Sequence, residues 1–553
     1  MISIDYQKRK NQDLFKSLEK PGIFLSKIQN YIPLYQKFFS LNDSNYNSIN
    51  LNHKRYISHV KRNVSDNPNL FECMVKENTK TKECDVFFKF APLLDPCKYL
   101  IGKYNPDLIL NLPDLESSEA KTFAKMLDLN NSAYIDSFFV YLISQLLSQH
   151  RFIHGVEFFG SFLCIKNNYK LNIFDDLEYL TESEFFNKQK NILFKVDDYD
   201  YILDSKEKLK PIQIHDTLKS IISIESINDN MFENIFSEND TIDNFTEIHE
   251  MNITDNKHLI TNKSNSSCSS RTSYTLSEDE TSLNVPIDES VADTDSFQAE
   301  IDTEENIYVT FPKFPVQVIC MENCEDTFDN LIDEKITTDE WLSAFMQIIM
   351  ILLTYQKAFA FTHNDLHTNN VMYNSTNKKY IYYKYNQIYY KVPTFGRIFK
   401  IIDFGRAIYK FNNHIFCSDS FKNGGDAATQ YNTEPYFNEN KPRIEPNFSF
   451  DLCRLACSIF DYIIEDISEI ANNDPIKKLV YEWCIDDNGI NVLYKNNGDE
   501  RYPDFKLYKM IARCVHKHTP QAQLERADFK KYTVVFNKDV KEVIDIDSIP
   551  SYT

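Results

Sequence analysis

Two short stretches decide the fold: "FTHNDLHTNN" at residues 361–370 and "IIDFGRA" at residues 401–407. The first follows a long apolar helical pattern and holds Asp365 and Asn370 five positions apart, while the second is an apolar strand that ends in Asp403. A carboxylate in such a loop can accept a proton, and carboxylate and amide oxygens suit a hard metal cation. If the strands beside these residues pair, Asn370 and Asp403 face one cleft.

The chain around these stretches alternates helical and strand patterns. Thr337 and Glu340 form a capping-box signature at the start of a helix that is apolar nearly all round, so we expect this helix to be buried. A Tyr-rich hairpin follows over residues 380–392, with a turn near Asn386. Residues 448–464 then show the spacing of an amphipathic helix.

The first part of the chain favours strands. Residues 55–61, 70–77 and 84–92 are strand-like segments separated by polar turns, which predicts an antiparallel meander. A helix with one apolar face follows from 132 to 149, and residues 156–166 again favour a strand. Strands first and helices later indicate an α+β protein with two lobes.

One segment carries most of the charge. The net charge is −21, and residues 216–305 hold 21 Asp or Glu against 4 Lys or Arg. Residues 206–306 are acidic and rich in Ser and Thr, with too little apolar surface to offset the entropy of ordering, so we predict disorder there. The predicted organisation is an N-terminal extension (1–50), a small lobe (51–205), this insertion (206–306), a last strand and connection (307–325) and a large lobe with a C-terminal extension (326–553).

Composition excludes several classes of protein. Outside the acidic segment no dominant basic field remains, which argues against nucleic-acid binding. The longest apolar run, residues 341–353, is shorter than the ~18 residues of a membrane span. The 12 Cys form no Cys-x-x-Cys pair and the N-terminus has no secretory pattern, so we expect a cytoplasmic protein.

The two opening stretches contain recognisable motifs. His363, Asp365, Leu366 and Asn370 match the catalytic-loop pattern H-R-D-L-x-x-x-N, and residues 403–405 match D-F-G. In these motifs the chain resembles the protein kinase superfamily, and its composition and divergent loops resemble the kinases of large nucleocytoplasmic DNA viruses. The resemblance implies a bilobal fold, with an antiparallel-sheet small lobe and a mostly helical large lobe. It also implies ATP and Mg²⁺ as cofactors, with Asp365 orienting the substrate hydroxyl and Asn370 and Asp403 as metal ligands.

The same resemblance assigns further residues. "VFFK" at 86–89 resembles the V-A-I-K strand, which implies that Lys89 binds the α- and β-phosphates. Its acidic partner on the following helix is Asp136, the only acid between residues 128 and 157, unless Asp136 is a solvated residue of that helix. Asp451 resembles the buried acid that braces the catalytic loop. The strand end and hinge that hold adenine through backbone groups are assigned to Met321, Glu322 and Asn323.

The chain departs from the family pattern in several places. The loop at residues 62–69 holds no glycine, so the flap over the phosphates is missing or built differently. Asn364 replaces the Arg that often grips an activation-loop phosphate, which argues against gating by that modification. His367 replaces the usual Lys, so the γ-phosphate loses one formal cation unless His367 is protonated. Asn369 replaces the Arg that marks tyrosine kinases, which favours Ser/Thr.

Three functional hypotheses follow. The first is an active Ser/Thr protein kinase, whose protein substrates the sequence does not identify. The second is a pseudokinase that serves as a scaffold, suggested by the glycine-free loop and the short helix acid. The third is a small-molecule kinase similar to choline or aminoglycoside kinases, in which "HNDLH" also occurs.

Segment 261–282, with Ser277 beside three acids, is a candidate for self-phosphorylation. The simpler interpretation of this segment is a solvating linker. A viral protein would work in the host cytoplasm or the virion.

Overall fold

A computed structural model of the chain combines α-helices with antiparallel sheets. The predicted disordered insertion, residues 206–306, lies outside the described residues except for Asn306. The structure describes residues 2–9, 11–20, 22–64, 67–199, 306–464, 474–495, 498–535 and 542–553.

Strands dominate the first part of the described chain and helices the last. The strands are β1 (Tyr6–Lys8), β2 (Leu25–Gln29), β3 (Ile49–Leu51), β4 (Arg55–Asn63), β5 (Leu70–Glu77), β6 (Lys80–Pro92), β7 (Phe158–Asn172), β8 (Lys195–Val196), β9 (Tyr308–Glu322), β10 (Asp326–Thr327), β11 (Val371–Ser375), β12 (Tyr380–Tyr385), β13 (Ile388–Pro393), β14 (Arg397–Ile401), β15 (Ile408–Phe411), β16 (His414–Cys417), β17 (Thr533–Val534) and β18 (Ile544–Asp545). The helices are α1 (Gln12–Leu18), α2 (Pro96–Leu100), α3 (Ala124–Leu127), α4 (Ser132–His150), α5 (Leu177–Thr181), α6 (Glu184–Gln189), α7 (Phe328–Asp333), α8 (Thr338–Phe359), α9 (Phe450–Ile463), α10 (Pro475–Trp483), α11 (Phe505–Cys514), α12 (Pro520–Gln523) and α13 (Ala527–Lys530).

A seven-stranded sheet gathers the early strands. Its order is β2-β7-β9-β6-β5-β4, and β8 also pairs with β9. The meander predicted from the three early segments is confirmed as β4, β5 and β6, which pair antiparallel. The extension at residues 1–50 is more than the partly helical lead-in that its sequence suggests, because β2 forms an edge of this sheet through β7.

Helix α4 is buried over nearly its whole length, which explains its mostly apolar sequence. It begins where the sequence predicts and ends one residue later. The Asn131 side chain caps it by accepting a hydrogen bond of 3.0 Å from Ala133 N. The following chain returns close to the helix at Gly155, where a Cβ atom would lie 2.4 Å from Ile143 O. Only glycine allows this approach, which sets α4 against the start of β7.

A second set of strands follows α8. β11 pairs antiparallel with β14, and Val371 lies opposite Ile401. The predicted Tyr-rich hairpin is confirmed as β12 and β13. Its turn residues Asn386 and Gln387 both have a positive φ, as a two-residue hairpin turn requires. The hairpin joins β17 and β18 in a four-stranded sheet, so the extra residues between the two opening stretches form structure of their own.

Helix α8 begins at the predicted capping box. Glu340 N donates to Thr337 Oγ1 and Thr337 N donates to Glu340 Oε2. Glu340 Oε1 also accepts from Arg397 at 3.0 Å, which ties the start of α8 to β14. Helix α8 is the one helix among the described residues that is both long enough and apolar enough to cross a membrane. However, 89% of its most apolar window is buried within the molecule, as in a core helix.

We expect Thr337→Ala to lower the free energy of unfolding by about 1 kcal/mol, because the orphan N–H of Glu340 loses its acceptor. Urea denaturation of the full chain measures this change. Thr338→Ala is the matched control, since Thr338 is an exposed neighbour at the first helical position. Equal losses in the two variants would contradict a role for the cap.

Candidate active site

Lys89 on β6 lies between two carboxylates. Its Nζ is 2.6 Å from Asp136 Oδ2 and 2.8 Å from Asp403 Oδ1. Burial opposes the charge of the ammonium group, but the two carboxylates outweigh it and raise the pKa of Lys89 above its usual range. Lys89 therefore stays charged and links the seven-stranded sheet to α4 and to the end of β14.

Asp136 is buried on α4, so the interpretation as a solvated helical residue is wrong. Its shorter arm reaches Lys89 directly through Oδ2. Its other oxygen, Oδ1, accepts a hydrogen bond of 3.0 Å from Phe404 N. One carboxylate thus fixes both the lysine and the chain that follows Asp403.

Asp403 stands in the left-handed region, with φ 61°. This conformation is uncommon outside glycine, and Asp and Asn tolerate it better than most residues. It turns the chain sharply after β14, so that Phe404 enters the core against Phe139 and Phe361. The polar side chain of Asp403 stays beside Lys89 as a result.

Asp451 holds the loop that contains Asp365, as the resemblance to the kinase catalytic loop implies. Asp451 is buried on α9 and accepts hydrogen bonds of 2.9 Å from the backbone N–H groups of His363 and Asn364. His363 Nε2 lies 2.9 Å from Ile402 O, which joins this loop to the chain just before Asp403. The two opening stretches are therefore fixed to each other by side-chain contacts as well as by the β11–β14 ladder.

Asn370 and His367 form a neutral pair. Asn370 Nδ2 donates to Asp365 O at 3.0 Å and lies 2.9 Å from His367 Nε2. Burial lowers the pKa of His367 to about 4, with Asp365 opposing this effect, so the imidazole is neutral near pH 7. The loop therefore lacks the cation that Lys carries at the position of His367 in the family pattern.

Asp365 itself is 2% exposed. Its Oδ1 accepts a hydrogen bond of 2.9 Å from the Tyr508 hydroxyl and lies 3.9 Å from Arg406 Nη1. Sequence reasoning missed both partners. Tyr508 sits 143 residues downstream on the buried face of α11, where an aromatic residue looks like ordinary core.

Asn364 also has a structural task. Its Nδ2 donates to Arg406 O at 2.9 Å, and its Oδ1 accepts from the Tyr431 hydroxyl at 2.7 Å. The side chain is fully buried and neutral, so it holds the chain after Asp403 through ordinary hydrogen bonds.

Sequence reasoning also missed Asp419, a second residue that fixes the segment after Asp403 to the rest of the fold. Asp419 is buried, and its carboxylate accepts from Ser132 N at 3.0 Å and from Lys125 Nζ at 2.5 Å. Its own N–H donates to Asn130 O at 2.8 Å. Asp419 therefore ties the segment to the first turn of α4, the helix that carries Asp136.

The residues assigned to the hinge lie where β9 ends. Met321 is buried and pairs in register with Phe87 of β6, two residues before Lys89. The Glu322 carboxylate is bonded inside the protein, 3.0 Å from Lys400 Nζ and accepting from the amide of Asn374 at 2.8 Å. The half-buried Asn323 continues the connection to β10.

The glycine-free loop between β4 and β5 is shaped by Asn67. Asn63 Nδ2 donates to Asn67 O at 2.9 Å, and Asn69 N donates to Asn67 Oδ1 at 2.9 Å. Side-chain amides thus replace glycine in turning the backbone. Residues 65 and 66 of this loop lie outside the described residues.

The donor set fits a magnesium ion bound partly by phosphates. The amide nitrogen of Asn370 is bonded to protein groups, whereas its Oδ1 accepts no hydrogen bond within the described part of the chain. Ile402 N donates to Asn370 O at 3.0 Å, so the residue before Asp403 is bonded directly to Asn370. No group of three His, Cys, Asp or Glu among the described residues could hold a metal ion alone. Mg²⁺ commonly takes one or two protein ligands plus phosphate oxygens and water.

Comparison with models of known protein families and with curated protein sequences gives no significant match. The assignment of this site therefore depends on its own residues and geometry.

Acidification tests the buried neutral state of His367. The unfolded chain binds a proton at this residue below about pH 6.5, and the folded chain only near pH 4, so falling pH favours unfolding over this interval. We expect wild-type protein to lose about 2 kcal/mol more stability than His367→Asn between about pH 7.5 and about pH 5. Urea denaturation at the two pH values measures the difference. A loss of stability in His367→Asn equal to that of the wild-type chain would contradict the assignment.

Proposed function

We propose that the protein is an ATP- and Mg²⁺-dependent kinase that transfers the γ-phosphate to Ser or Thr hydroxyls of protein substrates. The proposed fold is the two-lobed kinase arrangement, with the seven-stranded sheet as the small lobe. The observation that carries the proposal is Lys89 held between Asp136 and Asp403, beside a loop that Asp451 fixes.

Lys89 meets the requirements of a phosphate-binding cation. It stays protonated, and Asp136 prevents it from swinging away from the cleft. Asp403 lies 2.8 Å from the same ammonium group, so a metal bound by Asp403 and phosphates bound by Lys89 would be neighbours. An adenine ring would then lie toward Met321 and contact the backbone of Glu322 and Asn323.

Asp365 and Asn370 supply the other half of the chemistry. The substrate hydroxyl oxygen forms a bond to the γ-phosphorus while the bond from that phosphorus to the β,γ-bridging oxygen breaks. The hydroxyl proton passes to the Asp365 carboxylate, and ADP leaves with the bridging oxygen. Mg²⁺, held by Asn370 and Asp403, would neutralise charge on the phosphates. Asn369 in this loop supports Ser/Thr rather than Tyr as the acceptor.

Asp365→Asn should reduce phosphate transfer by about a hundredfold or more, because an amide cannot accept the proton. Asp403→Asn should reduce it similarly by weakening the metal site. Both losses are measured as the transfer of labelled phosphate from Mg-ATP. The acceptors are casein-like proteins, basic proteins and the chain itself. Asp13→Asn, an exposed acid on α1, is the matched control and should keep full activity. Unchanged transfer in Asp365→Asn would exclude its role as the base.

The near-complete burial of Asp365 favours one alternative, a pseudokinase that binds nucleotide and acts as a scaffold. A rise in melting temperature with Mg-ATP, without turnover on any acceptor, would support that alternative. A small-molecule kinase would instead phosphorylate small alcohols such as choline or an aminoglycoside and no protein.

Segment 261–282 is a candidate substrate within the same chain, although it lies outside the described residues. We expect mass spectrometry after incubation with Mg-ATP to find phosphate at Ser277 or its neighbours, and none in Asp365→Asn protein. An unmodified segment in an active preparation would contradict self-phosphorylation.

A further inference from the structure

Asp365 is enclosed by groups from distant parts of the chain. Its Oδ1 accepts a hydrogen bond of 2.9 Å from the Tyr508 hydroxyl of α11. Arg406 Nη1, from the segment after Asp403, lies 3.9 Å from the same oxygen. A carboxylate with 2% exposure loses much of its hydration, so these partners replace water as the groups that stabilise its charge.

The Tyr508 ring is held in turn by two guanidinium groups. Arg406 lies 5.7 Å and Arg454 of α9 lies 5.0 Å from the centre of the ring. Both distances suit cation–π attraction. Burial raises the pKa of Tyr508 above its usual range, with Asp365 adding to the shift and both arginines opposing it, so the hydroxyl remains a donor at neutral pH.

Arg406 keeps its own charge in this buried cluster. Burial opposes the charge, but the carboxylates of Asp426 and Asp365 outweigh it and raise the pKa of Arg406 above its usual range. The Asp426 carboxylate lies 2.6 Å from Arg406 Nη2, a shorter separation than the 3.9 Å between Arg406 Nη1 and Asp365 Oδ1. Of the two groups beside Asp365, the Tyr508 hydroxyl is therefore the closer to Asp365 Oδ1, at 2.9 Å against 3.9 Å for Arg406 Nη1.

We propose that Tyr508 is a positioning residue that sets the orientation of the Asp365 carboxyl group for proton acceptance. This inference rests on the proposed kinase function. A carboxyl group held at Oδ1 cannot turn freely about its Cβ–Cγ bond, so the direction of its second oxygen is set as well. Tyr508 lies on α11, so the carboxyl group is held from a part of the fold outside its own loop.

The Tyr508→Phe variant tests the proposal by removing one oxygen atom and keeping the ring. Its matched control is Tyr355→Phe, a buried tyrosine on α8 whose hydroxyl has no hydrogen-bond partner within the described residues. Steady-state kinetics with Mg-ATP and a protein acceptor are compared for the two variants and the wild-type chain.

We expect Tyr508→Phe to lower kcat about tenfold to a hundredfold, with the KM for ATP within about twofold of wild type, because misorientation affects the chemical step and not nucleotide binding. Tyr355→Phe should keep wild-type kinetics. An unchanged kcat in Tyr508→Phe would overturn the proposal. An increased kcat would also overturn it, since it would show that the Tyr508 hydroxyl competes with the substrate.

A second measurement does not depend on catalysis. Melting temperatures of Tyr508→Phe, Asp365→Asn and the double variant form a cycle that isolates their interaction. The double variant should lose clearly less than the sum of the two single losses, and additive losses would overturn the proposed contact. A wild-type chain that transfers phosphate to no acceptor would defeat the proposed function, whereas non-additive melting with normal Tyr508→Phe kinetics would defeat only the positioning role.

Discussion

The ion pairs of Lys89 with Asp136 and Asp403 are the interaction on which the rest of the site depends. A largely enclosed ammonium group, with a side chain only 17% exposed, needs compensating charge, and two carboxylates from different parts of the fold supply it. The seven-stranded sheet, α4 and the end of β14 must therefore take up one relative position for the lysine to be stable. The same requirement places the Lys89 ammonium group 2.8 Å from the Asp403 carboxylate.

Buried acids repeat this use of charge elsewhere. Asp451 binds two backbone N–H groups of the loop before Asp365, and Asp419 binds the first turn of α4. Each of these acids joins a loop to a helix, so the position of the helix determines the position of the loop. The segment after Asp403 is thereby anchored by groups that the chain itself carries, including the neutral Asn364.

Much of the fold follows from local sequence patterns. The meander, α4, the capped α8 and the Tyr-rich hairpin each have a hydrophobic period or turn residues that specify them, and all four occur near the predicted bounds. The largest difference is at β6, which begins at Lys80, four residues before the predicted start. β2 was missed because five residues at a sheet edge carry a weak pattern that only pairing with β7 stabilises. Lys89, Asp136 and Asp403 were found as candidates through motifs, but the motifs could not show that one ammonium group contacts both acids.

The sequence alone determined the order of elements and the chemical types at the cleft, because spacing and periodicity are properties of neighbouring residues. It placed Asp365 and Asn370 in one loop and Asp403 after a strand. Only the tertiary structure decided that Asp136 is buried and pairs with Lys89, and that His367 is neutral. It also decided that Tyr508 and Arg406 lie beside the Asp365 carboxylate. These properties depend on desolvation and on contacts between residues far apart in the chain, and no local pattern records either.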